Sequence, residues 1–304
     1  MQFKTNNSQS GFTLIELMIS LVLGMLIVAA VMQVYFSMVS TRLIQESGSQ
    51  VTDVSVFGIQ KLEEQLRIAN LGNSVTTIDS ETPMGGVVLT AKNLGVTTLP
   101  AGLVTSSTGD DTGAWTGTTG TTTTTNGSDQ LTIQYTNVTG NKMIDCEGGD
   151  VANGDRVVER YFLRQPRTNP TGNAGLVLAC DAGRMNSSNV ITTPFNGDGN
   201  ELILNVEQFK IMLGVQKTDG TMSYITPHQY KEPTNTLHNA PIVAVKVGMI
   251  VRSDKPLVGD VTPITELTLM GGVNRFAATP KYVRKSYEST TMLRNARLIS
   301  IVVP

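Results

Sequence analysis

From Phe12 to Val39 the chain reads FTLIELMISLVLGMLIVAAVMQVYFSMV, a run of about 28 almost wholly apolar residues. As a helix rising about 1.5 Å per residue, such a run is long enough to cross a hydrocarbon core of about 30 Å. Its only charge is Glu16, and Gln33 is its most polar other member. A carboxylate inside an apolar run costs on the order of a few kcal/mol unless it is paired. Glu16 therefore either has a partner of opposite charge or snorkels to the headgroups near the start of the helix.

The flanks narrow the options. Before the run lies the polar stretch MQFKTNNSQSG with one cation, Lys4, and Arg42 follows just after it. That near balance of positive charge orients the span only weakly. A secretory signal peptide has 7–15 apolar residues and then a small-residue cleavage site. This run is too long for that, and no A-x-A site follows it. The better-placed small residue, Gly11, comes before the run, so cleavage there leaves the apolar segment on the mature protein. Past the run no proline occurs from Ser40 to Gly72. Val51, Val54, Gly58, Leu62, Leu66 and Ala69 recur at helical spacing, with Asp53, Lys61, Glu63, Glu64 and Arg67 off that stripe. This pattern predicts that the helix continues as an amphipathic segment packed on a globular domain. Leu71-Gly72-Asn73 reads as its stop.

Beyond Gly72 the period changes. Leu131, Ile133 and Tyr135 alternate with polar residues, and short apolar runs follow at 157–163, 176–180, 202–213 and 242–251. In the last, Val243, Val245, Val247, Met249 and Val251 share one face. Asp219-Gly220 between two such runs signals a hairpin. Strands separated by polar loops, after one long helix, give an α+β class: a helix packed on antiparallel sheet. The Thr/Gly-rich stretch 105–127 is too polar to build a core and reads as a surface loop, with Trp115 as its one candidate anchor.

A net charge of −2 and only 16% charged residues give no basic excess, so no nucleic-acid partner is expected. The two cysteines, Cys146 and Cys180, fit one disulfide in an oxidising compartment, the alternative being two buried thiols. No catalytic site is visible, and no cofactor is implied: there is no G-x-S-x-G elbow, P-loop or dinucleotide fingerprint. His228 and His238 are ten residues apart, a spacing that fits no common zinc motif, and no metal site is expected from them. Asn196-Gly197-Asp198-Gly199-Asn200-Glu201 resembles a calcium loop only faintly and lacks the distal bidentate Glu. A hairpin turn is the simpler reading.

Gly11-Phe12-Thr13-Leu14-Ile15-Glu16, followed by an unbroken apolar helix, resembles the processing site of type IV prepilins and type II secretion pseudopilins. Unlike many major pilins, the helix carries no proline before Pro83. The resemblance implies that a prepilin peptidase cuts between Gly11 and Phe12 and methylates the new amine of Phe12. It also implies that Glu16 pairs with an amine, its own or a neighbour's, and so sets register in a filament. Further along, SDQLTIQY, Asp145-Cys146, RVVERYFLR, LVLAC, PIVAVKVGMIVRS and TTMLRNARL resemble PilW-like minor pilins. The implied organisation is a leader at 1–11, a transmembrane and assembly helix at 12–40, its amphipathic continuation at 41–71 and a β-rich extracytoplasmic domain at 72–304. The implied location is the inner membrane with the C-terminal domain in the periplasm, then the pilus. The implied partners are other minor pilins, the major pilin, the peptidase and the membrane. Such a subunit would help prime or cap a pilus that serves adhesion and twitching motility. A GspJ-like minor pseudopilin of a type II secretion system is the nearest alternative. An adhesion or DNA-uptake receptor on the pilus, and an anchored periplasmic enzyme, are alternatives of other classes.

Overall fold

The computed structural model describes residues 11, 13–99, 102–107, 127–168, 175–257 and 261–296. The leader residues 1–10, Phe12 and positions 108–126 of the Thr/Gly-rich loop, Trp115 included, lie outside the described residues. The chain divides into two units, Met1–Glu46 and Ser47–Pro304. Helix α1, Leu14–Ile68, has 55 residues and belongs partly to each.

In the first unit α1 is long and apolar enough to cross a membrane. Its large apolar side chains from Leu14 to Ile44 are all exposed, which is the condition of a helix whose solvent is lipid.

The second unit holds the rest of α1, two short helices and thirteen strands, all paired antiparallel among the described residues. One sheet runs β1 (Leu131–Thr136), β4 (Arg156–Arg164), β5 (Val177–Met185), β6 (Ile191–Thr193), with β7 (Asn200–Ile203) also on β5. The other runs β13 (Arg284–Met292), β10 (Ile242–Arg252), β8 (Val206–Gln216), β9 (Met222–Ile225). Hairpins β2–β3 (Met143–Ile144, Asp150–Val151) and β11–β12 (Glu266–Leu269, Gly272–Arg275) stand apart. The short helices are α2, Ala91–Leu94, and α3, Pro227–Lys231. The α+β class expected from the periodicity is the class observed.

Val51, Leu62, Leu66 and Ala69 of the apolar stripe are buried in one core with Leu131, Ile133 and Leu178 of the first sheet and Phe209, Leu213, Val245 and Met249 of the second. At Gly58 the helix comes close to the sheet: a Cβ there would sit 2.2 Å from Cγ1 of the buried Ile203. A glycine that costs about 1 kcal/mol of helix propensity is kept by this approach.

Three expectations need correction. The helix ends at Ile68, not at Leu71-Gly72. Asn70 takes the left-handed conformation first, at φ 66°, because its side chain is tied down: Oδ1 accepts from the Gly86 N–H at 2.9 Å and Nδ2 donates to Val75 O and Asn295 O at 3.0 Å each. The run 202–213 is not one strand. At Asn205, φ 58°, the chain leaves β7 in one sheet and enters β8 in the other. Finally, β10 is covered on both faces rather than one, because hairpin β11–β12 packs over it: a Cβ at Gly248 would touch Leu269 Cδ1 at 3.0 Å. The hairpin at Asp219-Gly220 is as expected, joining β8 to β9 with Gly220 at φ 82°.

Candidate functional site

The head of α1 is built by a capping box. Thr13 sits just before the helix and accepts the Glu16 N–H on its Oγ1 at 3.3 Å, while Glu16 Oε2 accepts the Thr13 N–H at 3.3 Å and the Thr13 hydroxyl at 3.2 Å. Two of the four orphan amides of a helix start are thereby bonded. The T-x-x-E spacing that encodes the box is plain in the sequence, and it adds a third partner for Glu16 beside an amine or the headgroups. Among the described residues the Glu16 carboxylate bonds Thr13 alone. Gly11 is exposed. Phe12, expected to become the new N-terminus and to be methylated, lies outside the described residues.

The second feature is the disulfide between Cys146 and Cys180, with Cα atoms 6.2 Å apart. It fastens hairpin β2–β3 to β5. Around it Asp145 Oδ2 accepts from Arg184 at 2.5 Å, Glu147 Oε2 accepts the Ala182 N–H at 3.0 Å, and Gln65 of α1 donates to Ile144 O at 3.3 Å. Glu159 of β4 lies fully buried beside the bridge and accepts from the Tyr161 hydroxyl at 2.6 Å, the Cys146 N–H at 2.9 Å and the Tyr135 hydroxyl at 3.2 Å. Burial pushes its carboxyl up to about 7, against the pull of those hydrogen bonds. Among the described residues Cys146, Glu159 and Cys180 form a cluster of metal-ligand types, but the two sulfurs are bonded to each other and offer no thiolate. Sequence reasoning did not single out Glu159, which lies within the strand-like run 157–163. All nine residues of β4 are in fact buried.

The remaining candidates dissolve into structure. In the loop 196–201, whose oxygen side chains alternate, three backbone carbonyls face arginines: Arg160 donates to Gly197 O at 2.7 Å, Arg164 to Asp198 O at 2.7 Å, and Arg167 to Gly199 O at 2.8 Å. His228 pairs with Glu232 at 3.3 Å, and His238 Nδ1 lies 2.9 Å from Tyr230 O. The Thr/Gly-rich stretch begins later than expected, because Thr105, Ser106 and Ser107 are buried and Ser106 bridges to Gln130 beside β1.

Residues 149–295 match the family described as Type IV Pilus-assembly protein W. Residues 6–32 match the Prokaryotic N-terminal methylation motif, which takes in Gly11, Phe12 and Glu16. Among solved structures the chain is similar to a type IV-like pilin from Thermus thermophilus, at 12% identity, over 56% of this chain and 79% of that one, with a TM-score of 0.35. No curated protein matches it in sequence. A methylation motif at the head of an apolar helix and a match to the pilus-assembly family over residues 149–295 together support a PilW-like type IV minor pilin.

Proposed function

We propose that this minor pilin acts in the priming or tip complex of a type IV pilus, anchored by residues 12–40 with its β-rich domain in the periplasm. The observation that supports this reading is the exposed apolar run at the head of the first unit, whose one carboxylate, Glu16, is held among the described residues by its own N-cap. Cleavage after Gly11 would turn residue 12 into an amine, methylated in turn, and would give that carboxylate a charged partner. In an assembly the partner is the amine of a neighbouring minor pilin or of the major pilin, which fixes axial register. The match to the pilus-assembly family favours a pilus over a secretion system, although the methylation motif serves both.

The test is Glu16→Ala in the native host. Mass spectrometry should find the wild-type and variant chains both beginning at Phe12, with membrane levels near normal, since alanine suits lipid better than glutamate does. Recovery of partner minor pilins with the variant should fall severalfold. Normal co-purification and normal piliation by the variant would refute the register role, and a mature chain beginning at Met1 would refute the processing.

A further inference from the structure

We infer that the groove beside Arg156 is a binding site for a small carboxylate carried on a hydroxylated molecule, the chemistry of a sugar acid. The groove has a volume of about 450 Å³, the size of a small-ligand site, and Arg156, Arg184, Asn186, Ser187 and Asn189 are among its walls.

Arg156, at 6% exposure, is one of five buried arginines among the described residues. The other four each face a carboxylate: Arg160 with Asp181, Arg164 with Glu201, and Arg252 and Arg284 with Glu207. Arg156 faces none. Its Nε and Nη2 donate to Gln134 Oε1 at 3.1 and 2.6 Å, its Nη2 also reaches Leu94 O at 3.1 Å and Asn93 O at 3.5 Å, and its Nη1 donates to Asn189 Oδ1 at 2.6 Å. Every one of these acceptors is neutral. The two carbonyls end α2 and bring only the partial charge of a helix terminus. Asp155, next in sequence and also in the wall of the groove, accepts the Ala152 N–H on Oδ2 at 2.9 Å. Burial holds the guanidinium below its ordinary range with no carboxylate to oppose it. A buried charge in this state carries a desolvation cost that a counter-ion offsets.

The donors left over fit a carboxylate. A guanidinium has five N–H groups, and one on Nη1 has no acceptor in the described chain. The Nδ2 of Asn189, on the amide that Nη1 already touches, donates to nothing there either. Together they offer two donors from adjacent groups, one for each oxygen of a carboxylate, beside a single positive charge. The rim continues with the amide nitrogen of Asn186 and the hydroxyl of Ser187, both exposed and with no acceptor among the described residues, which suits a polyol. Arg184, also in the wall, is already neutralised by Asp145. The inference stands apart from the assembly role and does not depend on it.

The full chain in detergent micelles, titrated calorimetrically with glucuronate, glucose and inorganic phosphate, tests it. Glucuronate should bind at least tenfold more tightly than either of the others. Arg156→Gln should lose that tenfold preference. Ser187→Glu places a competing carboxylate on the exposed rim and disturbs no hydrogen bond; it should weaken glucuronate binding at least tenfold with Arg156 in place. It decides the matter if Arg156→Gln fails to fold. The site is refuted if the wild type binds glucuronate no better than glucose or phosphate, or if folded Ser187→Glu binds it undiminished.

Discussion

Two glutamates show how the surroundings set the part a residue plays. Glu16 sits at a helix head in apolar sequence and bonds its own N-cap. Glu159 sits in a strand and is sealed under a disulfide with two tyrosine hydroxyls and one amide N–H as donors. Its carboxyl is raised from 4.5 to about 7 on folding, so the folded state binds the proton more tightly than the unfolded chain does. The stability this gives is present in full below about pH 4.5 and is lost as pH rises through about 7, to a total of about 3 kcal/mol. Glu159→Gln cannot ionise and should escape the loss. Urea unfolding at pH 5 and pH 8 should show the variant gaining up to about 3 kcal/mol on the wild type over that interval. Parallel behaviour of the two proteins would mean that folding does not raise the Glu159 carboxyl.

The lesson among elements is close approach. Helix α1 meets β7 at Gly58, where a methyl group would overlap the buried Ile203. Gly58→Ala gains about 1 kcal/mol of helix propensity but forces Ile203 aside, and such overpacking costs about 1–3 kcal/mol. The single variant should be neutral to destabilising. Paired with Ile203→Ala, which leaves a cavity and by itself costs about 2–5 kcal/mol, it should partly fill the space. The double-mutant cycle should therefore show a favourable coupling of about 1 kcal/mol or more in denaturant melts. Additive effects would show that the helix and β7 are not in contact there in solution.

Across the β-rich unit, the bridge from Cys146 to Cys180 spans 34 positions and closes hairpin β2–β3 onto β5. A loop of that size restricts the unfolded chain by roughly 3–4 kcal/mol. Reduction, or Cys146→Ser with Cys180→Ser, should lower unfolding stability by about that amount. Alkylation of the untreated folded protein should label neither cysteine. A melt unchanged by reductant would show that the hairpin is held by its other contacts alone, among them Asp145 with Arg184 and Glu147 with the Ala182 N–H.

What the sequence by itself determined was the part governed by local pattern. The apolar run, the helical stripe, the alternation of β1 and β10, the turn at Asp219-Gly220 and the match of residue types at Gly11 to Glu16 all depend on near neighbours, and such periodicities survive without knowledge of the fold. The pairing of Cys146 with Cys180 was legible because no third cysteine competes. Contacts between residues far apart in the chain decided the rest. The helix stops at Ile68 because Asn70 is bonded to Gly86 and Asn295, and a strand-like run breaks at Asn205 because two sheets claim its halves. The same holds for the charges of RVVERYFLR. Only the folded chain shows that Glu159 is buried beside the disulfide, that Arg160 and Arg164 meet Asp181 and Glu201, and that Arg156 meets no acid among the described residues, since a carboxylate that neutralises a buried cation can come from any part of the sequence.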